Sequence, residues 1–245
     1  MSSGIWAAAS GATTQQMSLD ATANNLANAN TPGYKSDNAV FREHLMTAVK
    51  GGRSVKEMRF SAIDGYAHDY TTGPITQTGR PLDVAIQGEG FFAVKTPQGE
   101  RYTRAGSFSV TQKGELVMPG GGQVMNEVGQ PVTVPPDAKS VRIAADGSVD
   151  ADGTISGRIK VVKFTNQAGL EKEGNILFKS TQSSGRPKIA PADLATESVE
   201  GANTSVVLGM TSMVTTTRTF DAIERVIDAF SQADKLAASD VGSVK

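Results

Sequence analysis

Two sets of apolar residues repeat at intervals of seven, one near each end of the chain. Ile5, Ala12, Leu19 and Leu26 form the first; Val206, Met213, Phe220 and Ile227 form the second, with Met210, Ile223 and Phe230 interleaved. A helix that turns the same face to a neighbour has this spacing. The pattern predicts one helix from Ile5 to about Asn28 and another from about Thr204 to Ala238, the second capped by Asn203 or Thr204. Ala8, Ala9 and Ala23 widen the first stripe. Stripes of equal repeat pack most simply on each other, so the chain ends are expected to meet as an antiparallel or slightly crossed pair.

Between these helices the period changes. Phe91–Val94, Phe108/Val110, Leu116-Val117, Val132/Val134, Val141/Ile143, Ile159–Phe164 and Ile176–Phe178 are short strand candidates. Pro97-Gln98-Gly99, Lys113-Gly114, the Pro119–Gly122 run, Asp146-Gly147 and Asp152-Gly153 separate them as turn signals. The 26 glycines and 10 prolines of the 245 residues, against 6% aromatics, agree with turn-rich β structure over a helical bundle. The expected fold is mainly β with terminal α-helices. Residues 1–35 and 203–245 would form a discontinuous, coiled-coil-like helical domain, and 80–202 a central antiparallel β domain. In the connector from 36 to 79, Val40, Phe41, Leu45 and Val49 suggest a short helix and Gly51-Gly52 a break.

The first helix has an unusual wet side. Asp20 is the only charged residue between Met1 and Tyr34; Ala, Asn, Gln, Ser and Thr occupy positions where Glu and Lys normally stand. Ile5, Trp6, Met17, Leu19 and Leu26 are too few to offset the ordering of so long a helix against a single partner. Cover on several sides, by copies of itself or by relatives, suits small uncharged residues better. The helix reads as an assembly element. It must end before Pro32, because a residue preceding proline avoids helical geometry. Thr31-Pro32-Gly33-Tyr34 then suits a type II turn, with glycine at the position of positive φ.

Charge and composition exclude several functions. With 24 basic and 25 acidic residues the net charge is −1, which implies neither a nucleic-acid footprint nor attraction to a membrane surface. No apolar run approaches the roughly 20 residues of a membrane span, and the opening residues lack the basic and leucine-rich regions of a classical signal peptide. Without cysteine there are no disulfides or thiolate metal sites. Asp146, Asp150 and Asp152 beside Gly147 and Gly153 resemble a calcium loop. Placing Gly153 at the sixth position, however, puts Ser148 first and Ile159 twelfth, where a glutamate belongs. Hairpin turns explain them better. The Pro119–Gly122 run lacks the Lys-Ser/Thr of a phosphate loop. His44 and His68 have no carboxylate pattern around them, and Asp83 with Glu89 is a minimal signal for a glycosidase pair. No catalytic, cofactor or metal site is expected.

Three separated blocks resemble one family. Asn24-Asn25-Leu26-Ala27-Asn28-Ala29-Asn30-Thr31-Pro32-Gly33-Tyr34-Lys35 is similar to the N-terminal signature of bacterial flagellar rod and hook proteins. The Arg80–Phe92 and Tyr102–Phe108 blocks follow in the family's order. Where the family usually has Leu-Glu-x-Ser-Asn-Val before its last helix, this chain has Val199-Glu200-Gly201-Ala202-Asn203-Thr204.

The resemblance implies a non-enzymatic structural subunit of the basal-body rod. Such subunits pass through a flagellar export apparatus without a cleavable signal peptide. They then assemble with other rod proteins and copies of themselves into a tube across the periplasm. Length suits the rod proteins rather than the hook protein, and the Pro131–Pro135 and Val141–Gly147 runs resemble the proximal-rod subgroup, with the distal-rod subgroup as the alternative. An exported β-domain enzyme acting on cell-wall glycan is the rival from a different class. The expected assembly interface is Ile5, Ala12, Leu19, Leu26, Val206, Met210, Met213, Phe220, Ile223, Ile227 and Phe230. The signature turn comprises Asn24, Asn25, Leu26, Asn28, Pro32, Gly33 and Tyr34.

Overall fold

The computed structural model describes the backbone of residues 3–50 and 53–243, and side chains over 4–40 and 65–236. The chain is mainly β with two helices that contact each other. It divides into two compact units, one of 1–27, 37–67 and 205–245, the other of 28–36 and 68–204.

The first unit contains helix α1 (Ser3–Ala27), strands β1 (Asp37–Lys50) and β2 (Arg53–His68), which pair in a two-stranded sheet, and the last helix of the chain, Val206–Ser243. The expected short helix at Val40, Phe41, Leu45 and Val49 is therefore strand. A spacing of four fits a period of two as well as a helical turn, so those residues do not distinguish the two. The expected break at Gly51-Gly52 lies outside the described residues.

The second unit holds the remaining strands in chain order: β3 (Ile75–Gln77), β4 (Val84–Ile86), β5 (Phe91–Thr96), β6 (Gly99–Thr103), β7 (Ser109–Val110), β8 (Leu116–Val117), β9 (Gln123–Val124) and β10 (Val141–Ile143). They continue as β11 (Ser148–Ala151), β12 (Thr154–Arg158), β13 (Val161–Lys163), β14 (Glu171–Glu173), β15 (Leu177–Lys179), β16 (Lys188–Ala190), β17 (Leu194–Thr196) and β18 (Ser198–Glu200). The last helix is α2.

Strand β5 organises this unit. It pairs antiparallel with β6 on one side; on the other, its first half pairs with β13 and its second half with β9. The order β14-β15-β6-β5-β9-β8-β7 continues the sheet, and β10-β11-β12 forms a separate one. Successive strand residues point to opposite faces, so β5 feeds two apolar clusters. Phe92 and Val94 enter the cluster with Val84, Leu116, Val124 and Ile159. Phe91 and Ala93 enter the cluster with Tyr102, Phe164 and Phe178. Both faces are covered, which is why Phe91-Phe92-Ala93-Val94 reads as a continuous apolar run rather than an alternation.

The turn signals sit between strands as expected. Pro97-Gln98 joins β5 to β6, and Asp152-Gly153, both at positive φ (51° and 87°), joins β11 to β12. Two left-handed residues in a two-residue loop suit the right-handed twist of a hairpin.

Candidate functional site

In the first unit the helices run antiparallel. A Cβ added at Gly4 would stand 2.9 Å from Phe230 Cζ, one at Gly11 would lie 3.7 Å from Ile223 Cδ1, and one at Gly209 would lie 3.7 Å from Leu26 Cδ1. Each step forward along α1 is thus matched by a step back along α2. The seam runs through Gly4 and Gly11, one position before Ile5 and Ala12, because a missing side chain lets the other helix approach closely. Ile5, Ala12 and Leu19 are half-buried beside it. From α2, Met213, Thr216, Phe220, Ile223 and Ile227 face inward to differing degrees, with Thr216 the buried one.

Part of the expected interface lies off this seam. Met210 is 54% exposed, and Val206 is exposed too, along with Val207, Leu208 and Val214, whereas Phe230 is partly exposed with its ring on the seam at Gly4. From Val206 to Thr217 there is no charged residue. The threonines there hydrogen-bond back into their own helix: Thr211 Oγ1 donates to Val207 O (3.0 Å), Thr215 to Thr211 O (3.0 Å) and Thr217 to Met213 O (2.9 Å). Helix α1 does the same, with Thr13 donating to Ala9 O, Thr14 to Ser10 O and Thr22 to Ser18 O. A hydroxyl already satisfied within its helix presents mainly a methyl group outward. Covering such a face leaves few polar groups without partners.

The signature turn takes the geometry read from its residues. Tyr34 N donates to Thr31 O (3.2 Å), and Gly33 has φ +71°. Glycine is needed there twice over, since an added Cβ would lie 2.2 Å from Ala105 N. Asn28 is buried and its carbonyl accepts from Thr31 N, while Pro32 is half-buried. On the helical side, Asn24 is exposed, and the Asn25 amide meets both backbone groups of Asp37 at 2.8 Å, acting as a strand partner for the start of β1.

Beyond the turn lies a charge cluster that the sequence reading missed. Lys35, Arg104 and Glu200 are all buried. Lys35 Nζ stands 2.6 Å from Glu200 Oε1 and donates to Thr71 O at 2.6 Å. Arg104 Nη1 reaches Glu200 Oε2 at 3.2 Å, and its Nη2 donates to Gly88 O at 2.8 Å. Gly73 N also donates to Glu200 Oε1, and Gly33 N to Glu200 O. Burial pulls the Lys35 ammonium below its usual range, with Glu200 opposing. Burial likewise lowers Arg104, whose guanidinium lies 5.4 Å over the Phe91 ring. Tyr34 is fully buried beneath Lys172 Nζ, 4.1 Å above its ring. Charged residues inside turn and strand motifs read as solvated from sequence; only tertiary pairing reveals them as buried.

Asn203 belongs to the same knot. Its Oδ1 accepts from Ser36 N (2.8 Å) and its Nδ2 donates to Asp69 O (2.7 Å). It therefore does not cap α2, and neither does Thr204. Ser205 stands in that place, its carbonyl accepting from Gly209 N and its hydroxyl from Leu208 N at 3.5 Å.

The other candidate sites have structural occupations. Asp146 accepts from Ser148 N and Oγ, Asp150 from Arg142 and Gly153 N, and Asp152 from Lys139 N and Ser140 N. The Ser148 hydrogen bonds hold the Asp146 carboxyl below the usual range. Asp83 is buried against Arg80 Nε and Thr78 Oγ1, both at 2.7 Å, whereas Glu89 is exposed. The side chain of His44 lies outside the described residues, and His68 packs edge-on against Tyr70 and Phe178. Among the described residues no group of three or more His, Asp or Glu could hold a metal ion, and no helix is long and apolar enough to cross a membrane.

These features define a structural protein with a pair of terminal helices whose exposed faces are poor in charge and a separate β unit. Residues 5–35 match the model of the flagella basal body rod protein family, and 85–151 match that of the flagellar hook protein FlgE/F/G D1 domain. The flagellar basal-body rod protein FlgF of Caulobacter vibrioides is 30% identical, over 94% of each chain. FlgG of Bacillus subtilis is 32% identical, over 91% of this chain and 93% of its own. FlgF of Mesorhizobium japonicum is 28% identical, over 99% of both. The chain belongs to the flagellar basal-body rod protein family, whose members are structural subunits of the rod.

Proposed function

We propose that this subunit polymerises through α1 and α2, with copies of itself and other rod proteins, into the periplasmic rod that transmits torque. It would reach that place through the flagellar export apparatus and act as a non-enzymatic axial component. The carrying observation is the exposed face of α2 over Val206–Thr217, uncharged, apolar at Met210 and Val214, and lined by hydroxyls satisfied within their own helix. Repeated heterologous contacts through such a face generate a filament rather than a closed ring. Load would then be shared among many small van der Waals contacts.

Within the rod, the proximal position is the preferred reading. The FlgF relatives match over equal shares of both chains, as expected for proteins of one length. A distal position remains the second reading, because the FlgG of Bacillus subtilis shares as many residues. Image reconstruction of purified basal bodies carrying a tagged copy distinguishes the two by the height of the tag along the axis.

Leu26→Asp tests the helical route. The β unit should keep its thermal transition while the variant fails to enter the rod and motility is lost. Normal motility with normal incorporation would sink the packing mechanism.

A further inference from the structure

We propose that Lys35, Glu200 and Arg104 form a latch that closes the segments 31–36, 71–73 and 198–203 as one cooperative unit, opening together without unfolding the β core. In the chain, the first of these segments follows α1 and the last precedes α2, so the two segments adjoining the helices in sequence are closed or released together. This inference stands independently of how the helices assemble.

The first support is that one residue serves all three segments. Glu200 faces two buried cations, accepts from Gly73 N through its side chain, and accepts from Gly33 N through its carbonyl. Lys35 and Arg104 carry the connection outward to Thr71 O and Gly88 O. Removing Glu200 leaves two cations facing each other without water, which is far costlier than losing one hydrogen bond.

The second support is the absence of slack. A Cβ at Gly33 would lie 2.2 Å from Ala105 N, and one at Gly73 would lie 2.2 Å from Gly201 O. Backbones in such contact do not slide; a segment is seated or it is out.

The third support is that polar contacts hold the node together, with Arg104 reaching the apolar interior at the Phe91 ring. Tyr34, Lys35 and Glu200 are fully buried yet belong to neither apolar cluster. A region held by polar pairing with few apolar contacts can open below the global unfolding free energy. Arg104 Nε is buried without an acceptor among the described residues, while the charges of Asp69 and Glu89 act on Lys35 and Arg104 beside that of Glu200. A cluster so arranged adds little to stability and serves to select one conformation.

Hydrogen exchange of the full chain, resolved by segment, tests the latch. In the native protein the three segments should exchange in step, ahead of β5 and β6. Glu200→Gln should lower their protection together by about 100-fold or more, with β5 and β6 unchanged. Lys35→Met combined with Glu200→Gln removes one cation along with the anion and should restore most of that protection. The latch is refuted if Glu200→Gln leaves the segments protected or loosens only one of them. It is equally refuted if the double variant protects no better than the single one. Should the single variant fail to fold, the double one decides: folded with all three segments exchanging in step supports the latch, and unfolded overturns it.

Discussion

The helix pair and the β unit handle polar groups in opposite ways. Along α1 and from Val206 to Thr217 of α2, charge is nearly absent and hydroxyls are satisfied within each helix, so the faces are ready to be covered. In the β unit, Lys35, Arg104 and Glu200 are buried together and meet partners on chain segments far apart in sequence. A local solution tolerates a change of neighbour; a long-range one fixes a conformation. The contrast separates what is free to associate from what must hold still.

The largest effect should come from the β interior. Phe178 is fully buried and packs against Tyr70 and Phe91. Phe178→Ala should destabilise the β unit by about 3–5 kcal/mol in chemical denaturation. A loss below about 1 kcal/mol would show that this aromatic cluster is dispensable and weaken the contrast at once.

Alkaline pH gives the next effect. Burial, reinforced by the charge of Glu100, pushes the Tyr102 phenol up to about 12. The unfolded phenol ionises near 10, so the folded chain retains its proton over a window where the unfolded chain has lost it. Tyr102 therefore contributes stability that is complete below pH 10 and lost as pH rises toward 12, a total of about 3 kcal/mol. Tyr102→Phe should flatten that part of the stability–pH curve. An unchanged curve would assign the alkaline loss elsewhere.

On the helix pair the monomer should barely respond. Met210 is largely exposed, so Met210→Asp should change thermal stability by less than about 0.5 kcal/mol. Rod incorporation should nevertheless be abolished, because a charge would be buried at the contact. Equal stability with normal incorporation would remove Met210 from the assembly face. Thr215→Val should show the smallest effect. Its hydroxyl bonds only to Thr211 O, so the isosteric methyl should leave both the monomer and incorporation near wild type. A marked loss of incorporation would mean that the hydroxyl contacts a neighbouring subunit.

Several elements were legible in the residues because their signals are local. The Pro32-Gly33 turn, the end of α1 and the hairpin turns at Pro97-Gln98 and Asp152-Gly153 follow from backbone restrictions acting within a few positions. Strands β5, β8, β10 and most of β13 and β15 announced themselves as apolar runs. Strand β6 (Gly99–Thr103) and β14 (Glu171–Glu173) did not, since their charges pair across the sheet, as Arg101 does with Glu173 at 2.6 Å. The β1–β2 hairpin was hidden by a spacing that suits either period.

The sequence by itself determined that helices end the chain, that β structure fills its middle, and that α1 lacks a charged face. These follow from periodicity and side-chain chemistry, which each segment carries alone. Only the tertiary structure decided that the helix seam runs through Gly4 and Gly11, and that Asn203 ties down Ser36 instead of capping α2. It alone placed Lys35, Arg104 and Glu200 together in the dark. Whether a charge is buried depends on which distant segments close over it, and no residue encodes that on its own.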